Sequence, residues 1–246
     1  MYTISRPASQ TFPGSTLASG DDPDAPSALF FQSGYSTNVG IWSSFPQAGD
    51  LVLFDELIHA SVHDGLRLGR IGRGAGAAKT FPHNDLRSLK RLIKEDLAEQ
   101  EAKYIFRTIF VGVESVYSME GDAAPIVALL DLIGTFDTGR IKLIVDEAHS
   151  MFVFGKGLTM PPYVTEEQAS KVFARVVTFG KAPGVTGAAV VIPRYAKDYL
   201  VAHARPFIFT TAPTVFSVVA VENALDVLED GRANAVSLSS DYSKAY

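Results

Sequence analysis

Three segments of the chain hold side chains whose types and spacing could do chemistry. In RVVTFGKAPGVTGAAVV, Lys181 follows an apolar run and is flanked by Gly180, Gly184 and Gly187. Glycines permit tight turns and close backbone approach to a ligand. A lysine enclosed between two strand-forming segments loses hydration, which lowers its pKa and makes its amine a nucleophile or a base. In an open loop the same residue is a solvated cation, the commoner case for any single lysine. In IKLIVDEAHS, Asp146 ends a second apolar run and His149 follows three residues later. A buried carboxylate there requires a cationic partner; an exposed one only caps the next turn. In VGVESVYSMEGDAAP, Glu114, Ser115, Ser118, Glu120 and Asp122 crowd the end of a third run and read as a polar loop.

Other chemistries find less support. His59 and His63 are four apart, a spacing that can share a helix face, but no third metal ligand is evident and there is no HExxH pattern. The glycines around Lys181 match neither a phosphate P-loop nor a dinucleotide fingerprint. The absence of cysteine removes disulfides, thiol nucleophiles and thiolate metal sites.

Short runs rich in β-branched and aromatic residues predict buried strands at 28–31, 51–54, 104–113, 141–146, 172–179 and 187–192. Between them lie helical patterns. In the segment 84–103, Leu86, Leu89, Leu92, Ile93 and Leu97 recur at three- and four-residue steps, with Asn84 as the expected N-cap. Further helices are expected after Pro125 and Pro213, since proline is tolerated in a first turn. Strands alternating with helices predict an α/β domain with a mostly parallel sheet, whose ligands bind beyond the carboxyl ends of the strands. Those are the places where Asp146 and Lys181 fall.

The remaining observations bound the class. The 246 residues suffice for one large domain. Residues 1–27 read as a polar lead-in, 28–230 as the domain, and 231–246 as a polar tail or the start of a further unit. A net charge of -5 gives no reason to expect nucleic acid as a partner. The N-terminus has no apolar signal region and no run reaches transmembrane length, so an intracellular, cytoplasmic setting without a membrane span is expected.

Taken in order, FDELIHASVHDG at 54–65, FPHNDLRSL at 81–89, ESVYSMEGDAAP at 114–125, VDEAHS at 145–150, TFGKAPGVTGAAV at 178–190 and ARPFIFTT at 204–211 form a pattern. It resembles the α-oxoamine synthases, a branch of the fold-type I pyridoxal-phosphate enzymes related to aminotransferases of class I and II, and most of all the branch that serves biotin synthesis. The resemblance implies a three-layer αβα large domain, pyridoxal 5'-phosphate as cofactor, and a homodimer with shared sites. It implies that Lys181 binds the cofactor covalently, Asp146 pairs with the pyridine nitrogen, His59 stacks on the ring and His149 bonds near the ring oxygen. It implies further that Ser118 and Thr178 help to hold the cofactor, that Gly34 and Tyr35 lie beside its phosphate, and that Thr210 or Thr211 reaches a phosphate in the neighbouring subunit. The substrates implied are an amino acid such as alanine and an acyl thioester, condensed with loss of carbon dioxide.

The match runs from about residue 28 to about residue 230, so an N-terminal segment and the small C-terminal domain of the family are expected to be largely absent. Met151 and Phe152 stand where relatives carry small residues, and are expected to narrow the pocket or shift its loop. Two other readings stay open: a non-catalytic or partner-dependent remnant of the fold, and other fold-type I chemistry such as transamination or aldol cleavage.

Overall fold

A computed structural model describes residues 22–71, 77–136, 138–151 and 164–229. The lead-in up to residue 21, Phe152 and the tail 231–246 lie outside the described residues.

Among the described residues, seven strands form one sheet: β1 (Pro26–Phe31), β2 (Leu51–Asp55), β3 (Ala77–Phe81), β4 (Ile109–Glu114), β5 (Ile141–Asp146), β6 (Ala174–Thr178) and β7 (Ala188–Pro193). Their order is β1-β7-β6-β5-β4-β2-β3. Neighbours from β6 to β3 are parallel, and β7 runs antiparallel to both β6 and β1. The helices are α1 (Gly34–Ser44), α2 (Ala60–Leu68), α3 (Leu86–Lys103), α4 (Ile126–Gly134), α5 (Glu166–Ser170), α6 (Arg194–His203), α7 (Arg205–Ile208) and α8 (Val215–Glu229).

The strands are apolar on both faces because both faces are covered. Val52, Phe54, Phe110, Ile144 and Val176 point to one side and pack with Ile41 and Trp42 of α1, Val62 and Leu66 of α2, and Leu200 of α6. Their odd-numbered neighbours Leu51, Leu53, Val111, Leu143 and Val145 point to the other side, against Leu89 and Ile93 of α3 and Leu129 and Leu130 of α4. The period of two along each strand thus divides the core into two apolar layers around one sheet. The side of α1 and α2 is packed tightly. A Cβ added at Gly112 on β4 would stand 2.8 Å from the Trp42 ring, so only glycine leaves room for the indole there.

The structure corrects several expectations. The apolar stretch from residue 104 is strand only from Ile109, because α3 ends through Tyr104 in a left-handed conformation (φ 52) and Phe106 is exposed. The N-cap of α3 is Asp85, which accepts from the Arg87 and Ser88 amides, and not Asn84. Asn84 has φ 55 and sends its side chain to Asp122 instead. Of the two histidines spaced by four, His59 is the N-cap of α2, while His63 lies inside the helix in a T-shaped contact with the Phe54 ring. Met151 does not enter the site. It is buried with Val177, Phe179, Val191 and the α8 residues Val221 and Leu225. Strand β3 and helices α1, α2, α5, α6 and α7 were not among the expected elements.

Candidate active site

Glu114, Asp146 and Thr178 stand at the carboxyl ends of β4, β5 and β6; Glu114 and Asp146 are directly paired across neighbouring strands, and Thr178 lies two residues beyond Val176, the register partner of Asp146. Asp146 is buried and held from two sides. Its Oδ1 accepts the Ala148 amide at 3.0 Å and its Oδ2 accepts Asn38 Nδ2 at 2.7 Å. The same Asn38 amide donates to Ser61 Oγ at 3.0 Å, and Ser61 Oγ lies 2.7 Å from His59 Nδ1. The Ser61 backbone N–H also donates to Nδ1, at 3.2 Å. Nδ1 therefore accepts, which leaves Nε2 as the ring's donor. A polar chain thus runs from Asp146 through α1 to His59 at the start of α2.

Lys181 follows β6 in a tight turn closed by the Gly184 N–H to the Lys181 carbonyl, at 2.9 Å, with Gly184 at φ +70. The lysine is exposed at the mouth of the site and its Nζ contacts His149 Nε2. Partial desolvation lowers the Lys181 pKa, against the opposing pull of Asp146 and Glu114. Desolvation, then the adjacent Lys181 charge, lowers His149. The pair therefore favours states with little positive charge, in which an imidazole nitrogen accepts from the lysine.

Glu114 is the site residue that the sequence reading placed only in a polar loop. It is buried, and its pKa is pushed up to about 8 by desolvation and by the Asp146 charge beside it. The His59 backbone N–H donates to it.

Gly34 begins α1 behind the N-cap Ser33, whose side chain accepts from the Ser36 amide in a capping box. A side chain at Gly34 would meet Thr178 at 3.5 Å, so the first turn of α1 and the end of β6 lie against each other. The N–H groups of a first helical turn suit an anion. Tyr35 is half exposed and its hydroxyl donates to Asp64 at 2.7 Å. Ser118 stands exposed in the turn between β4 and α4. Thr210 and Thr211 are exposed after α7, and Gln32 Nε2 holds the Thr211 carbonyl at 2.6 Å, which ties that segment beside the start of α1. The expected residues thus fall into one connected region for Asp146, His59, His149, Lys181, Thr178 and Gly34, with Ser118, Thr210 and Thr211 on open turns. Asn38, Ser61 and Glu114 are additions made by the structure. Among the described residues no group of three or more His, Asp or Glu is placed to hold a metal ion.

The sequence profile of the aminotransferase class I and II family matches residues 19–242. The chain is similar to 8-amino-7-oxononanoate synthase of Emericella nidulans, 40% identical over 212 residues, which is 85% of this chain and 50% of that protein. It is similar also to the aminoacyl transferase sphA of Byssochlamys spectabilis, 33% identical over 84% of this chain and 43% of that protein. Among solved structures, a serine palmitoyltransferase from S. paucimobilis superposes with TM-score 0.69 and 26% identity over 84% of this chain and 49% of its own. The chain spans about half the length of the curated relatives it matches. By profile, by similarity and by sheet topology, the chain belongs to the aminotransferase class I and II family, whose cofactor is pyridoxal phosphate.

Proposed function

We propose that the chain carries the cofactor site of an α-oxoamine synthase, which condenses an alanine-like amino acid with an acyl thioester and releases carbon dioxide. The observation that supports this best is the row of strand ends in which a buried, doubly held Asp146 and an exposed Lys181 of lowered pKa face one region with His59 and His149.

These residues fit pyridoxal phosphate by the chemistry of their donors. Lys181 supplies the amine for covalent attachment. Asp146 supplies the carboxylate for a protonated pyridine nitrogen, and its two fixed hydrogen bonds keep it from rotating away. His59 supplies a ring to stack, and Thr178 with the first turn of α1 supplies donors for the phosphate. When bound, the cofactor withdraws electrons from the substrate α-carbon and so makes a carbanion accessible.

The side chains then have separable tasks. Lys181 would take the α-proton of the substrate on Nζ, and its lowered pKa keeps a fraction of the amine neutral for that task. His149 accepts from Lys181 through Nε2 and so steers the amine. The Asn38 amide fixes Asp146 and, through Ser61, His59, so that carboxylate and imidazole hold one relative geometry. Neutral Glu114 spares the row a second negative charge beside Asp146. Loss of the α-proton is the part of the reaction that needs the fewest other groups, and it provides the test. Alanine in heavy water with the cofactor-loaded chain is expected to lose its α-proton NMR signal, and a Lys181→Ala chain is expected to leave it intact. A loaded chain that exchanges no amino-acid α-proton would refute the proposal.

A further inference from the structure

The FPHNDLRSL segment, at the end of β3, has no task in the mechanism above, yet it builds a specific cluster. His83 Nδ1 lies 2.9 Å from Asp55 Oδ1 and His83 Nε2 lies 2.9 Å from Asp122 Oδ2. An ionised carboxylate only accepts hydrogen bonds, so both ring nitrogens must carry protons for both contacts to be favourable. Asp55 ends β2 and its side chain is fully buried; its oxygens also accept the Leu57 and Asn84 amides. Asp122 belongs to the other partner, the turn between β4 and α4. That turn is a closed unit: the Tyr117 N–H donates to the Asp122 carbonyl, the Gly121 N–H to the Tyr117 carbonyl, and Val116 bridges Ala123. Its tip is Ser118 to Glu120, all exposed. The Tyr117 ring meets the His83 ring edge-on at 4.5 Å.

We infer that His83 is a positioning residue: as an imidazolium it clamps the Asp122 turn to the rigid end of β2, and thereby holds Ser118 at the rim of the site. The inference rests on the cofactor reading above for the role of Ser118, but the clamp itself does not. The groups facing His83 are Asp55 from β2, Asp122 and Tyr117 from the turn, the neutral amide of Asn84, and Glu56, whose Oε1 accepts the His83 backbone N–H at 2.9 Å. Desolvation of the ring opposes protonation, but the hydrogen bonds to Asp55 and Asp122 outweigh it and hold His83 above its ordinary value. The clamp is therefore closed while the ring is protonated and the carboxylates are ionised, and it opens as pH rises through that raised value. One ring nitrogen then faces a carboxylate with no proton between them.

The test is hydrogen exchange of the Tyr117 and Gly121 amides in the cofactor-free chain, with rates corrected for the intrinsic pH dependence, in the wild type and in His83→Gln. The wild type is expected to lose protection in this segment by about tenfold as pH rises, the worth of one charge-assisted hydrogen bond. His83→Gln, with unchanged circular dichroism, is expected to show the low protection at every pH and to bind pyridoxal phosphate severalfold more weakly at a pH where the wild type shows full protection. Asp122→Asn serves in the same way if His83→Gln fails to fold. Protection that is independent of pH in the wild type, or equal in wild type and variant, overturns the inference. A wild type that shows the pH-dependent protection but binds no cofactor refutes the cofactor reading and leaves the clamp standing.

Discussion

Glu114→Gln isolates the electrostatics of the site. The carboxyl group is buried, pushed up to about 8 from 4.5 by desolvation first and the Asp146 charge second. Between these two values the unfolded chain has released the proton and the folded chain retains it. The unfolded state then binds fewer protons, so stability falls as pH rises. Stability linked to Glu114 is thus fully present below the unfolded pKa and is lost as pH passes through the folded one. Gln mimics the protonated carboxyl in shape, keeps an acceptor for the His59 amide and does not titrate. Its stability relative to wild type should therefore rise with pH. The whole shift corresponds to roughly 5 kcal/mol at about 1.4 kcal/mol per unit. The exposed Lys181 nearby shows that water reaches the mouth of the site, so a gain of about 2 kcal/mol is expected. Urea unfolding of both cofactor-free chains between about pH 5 and pH 8.5 measures it. A stability difference that stays constant over that range would refute the reasoning, because it would mean that Glu114 titrates alike in both states.

Three further outcomes follow from other parts of the molecule. Arg175→Met should cost about 3–5 kcal/mol, read from the urea midpoint, because it strips the fully buried Glu147 of a guanidinium that holds it at 2.7 and 3.2 Å. Gly112→Ala should cost about 1–3 kcal/mol in the same assay, since the new methyl group would stand 2.8 Å from the Trp42 ring. Asp146→Asn should leave circular dichroism unchanged while weakening pyridoxal-phosphate affinity about 10- to 100-fold in equilibrium dialysis, the worth of a hydrogen bond to a charged group.

Much of the fold was legible because fully buried parallel strands leave short, continuous apolar runs, and six of the seven strands carry one. β3 escaped because AAKTF, an edge strand, mixes alanine with lysine and has no such run. Helix α1 escaped for a different reason. GYSTNVGIWSS is rich in glycine, serine and threonine, and its buried face includes Thr37, Asn38 and Ser44, so apolar periodicity is nearly absent. Of these, Asn38 serves the site: both its amide hydrogens are engaged, on Asp146 and Ser61. For the same reason Asn38 and Ser61 left no local signal. A polar residue in a helix pattern reads as solvent-facing until its partner from a distant strand is known. Asp146 and Lys181 were legible as places, at the ends of apolar runs, and the resemblance supplied their roles. Glu114 was visible at the end of its strand, but composition alone does not distinguish a buried carboxyl from the start of a polar loop. Met151 was legible as a bulky substitution and not in its direction, which is set by packing beneath α8.

The central claim is that Lys181 is the residue through which the chain holds pyridoxal phosphate. Reduction of the cofactor-loaded chain with borohydride, followed by peptide mass spectrometry, tests it most directly. The account predicts a pyridoxyl group on the peptide carrying Lys181 and none on that peptide in a folded Lys181→Ala chain. A folded wild-type chain that carries no label, or one labelled on surface lysines to the same extent as the variant, would contradict it.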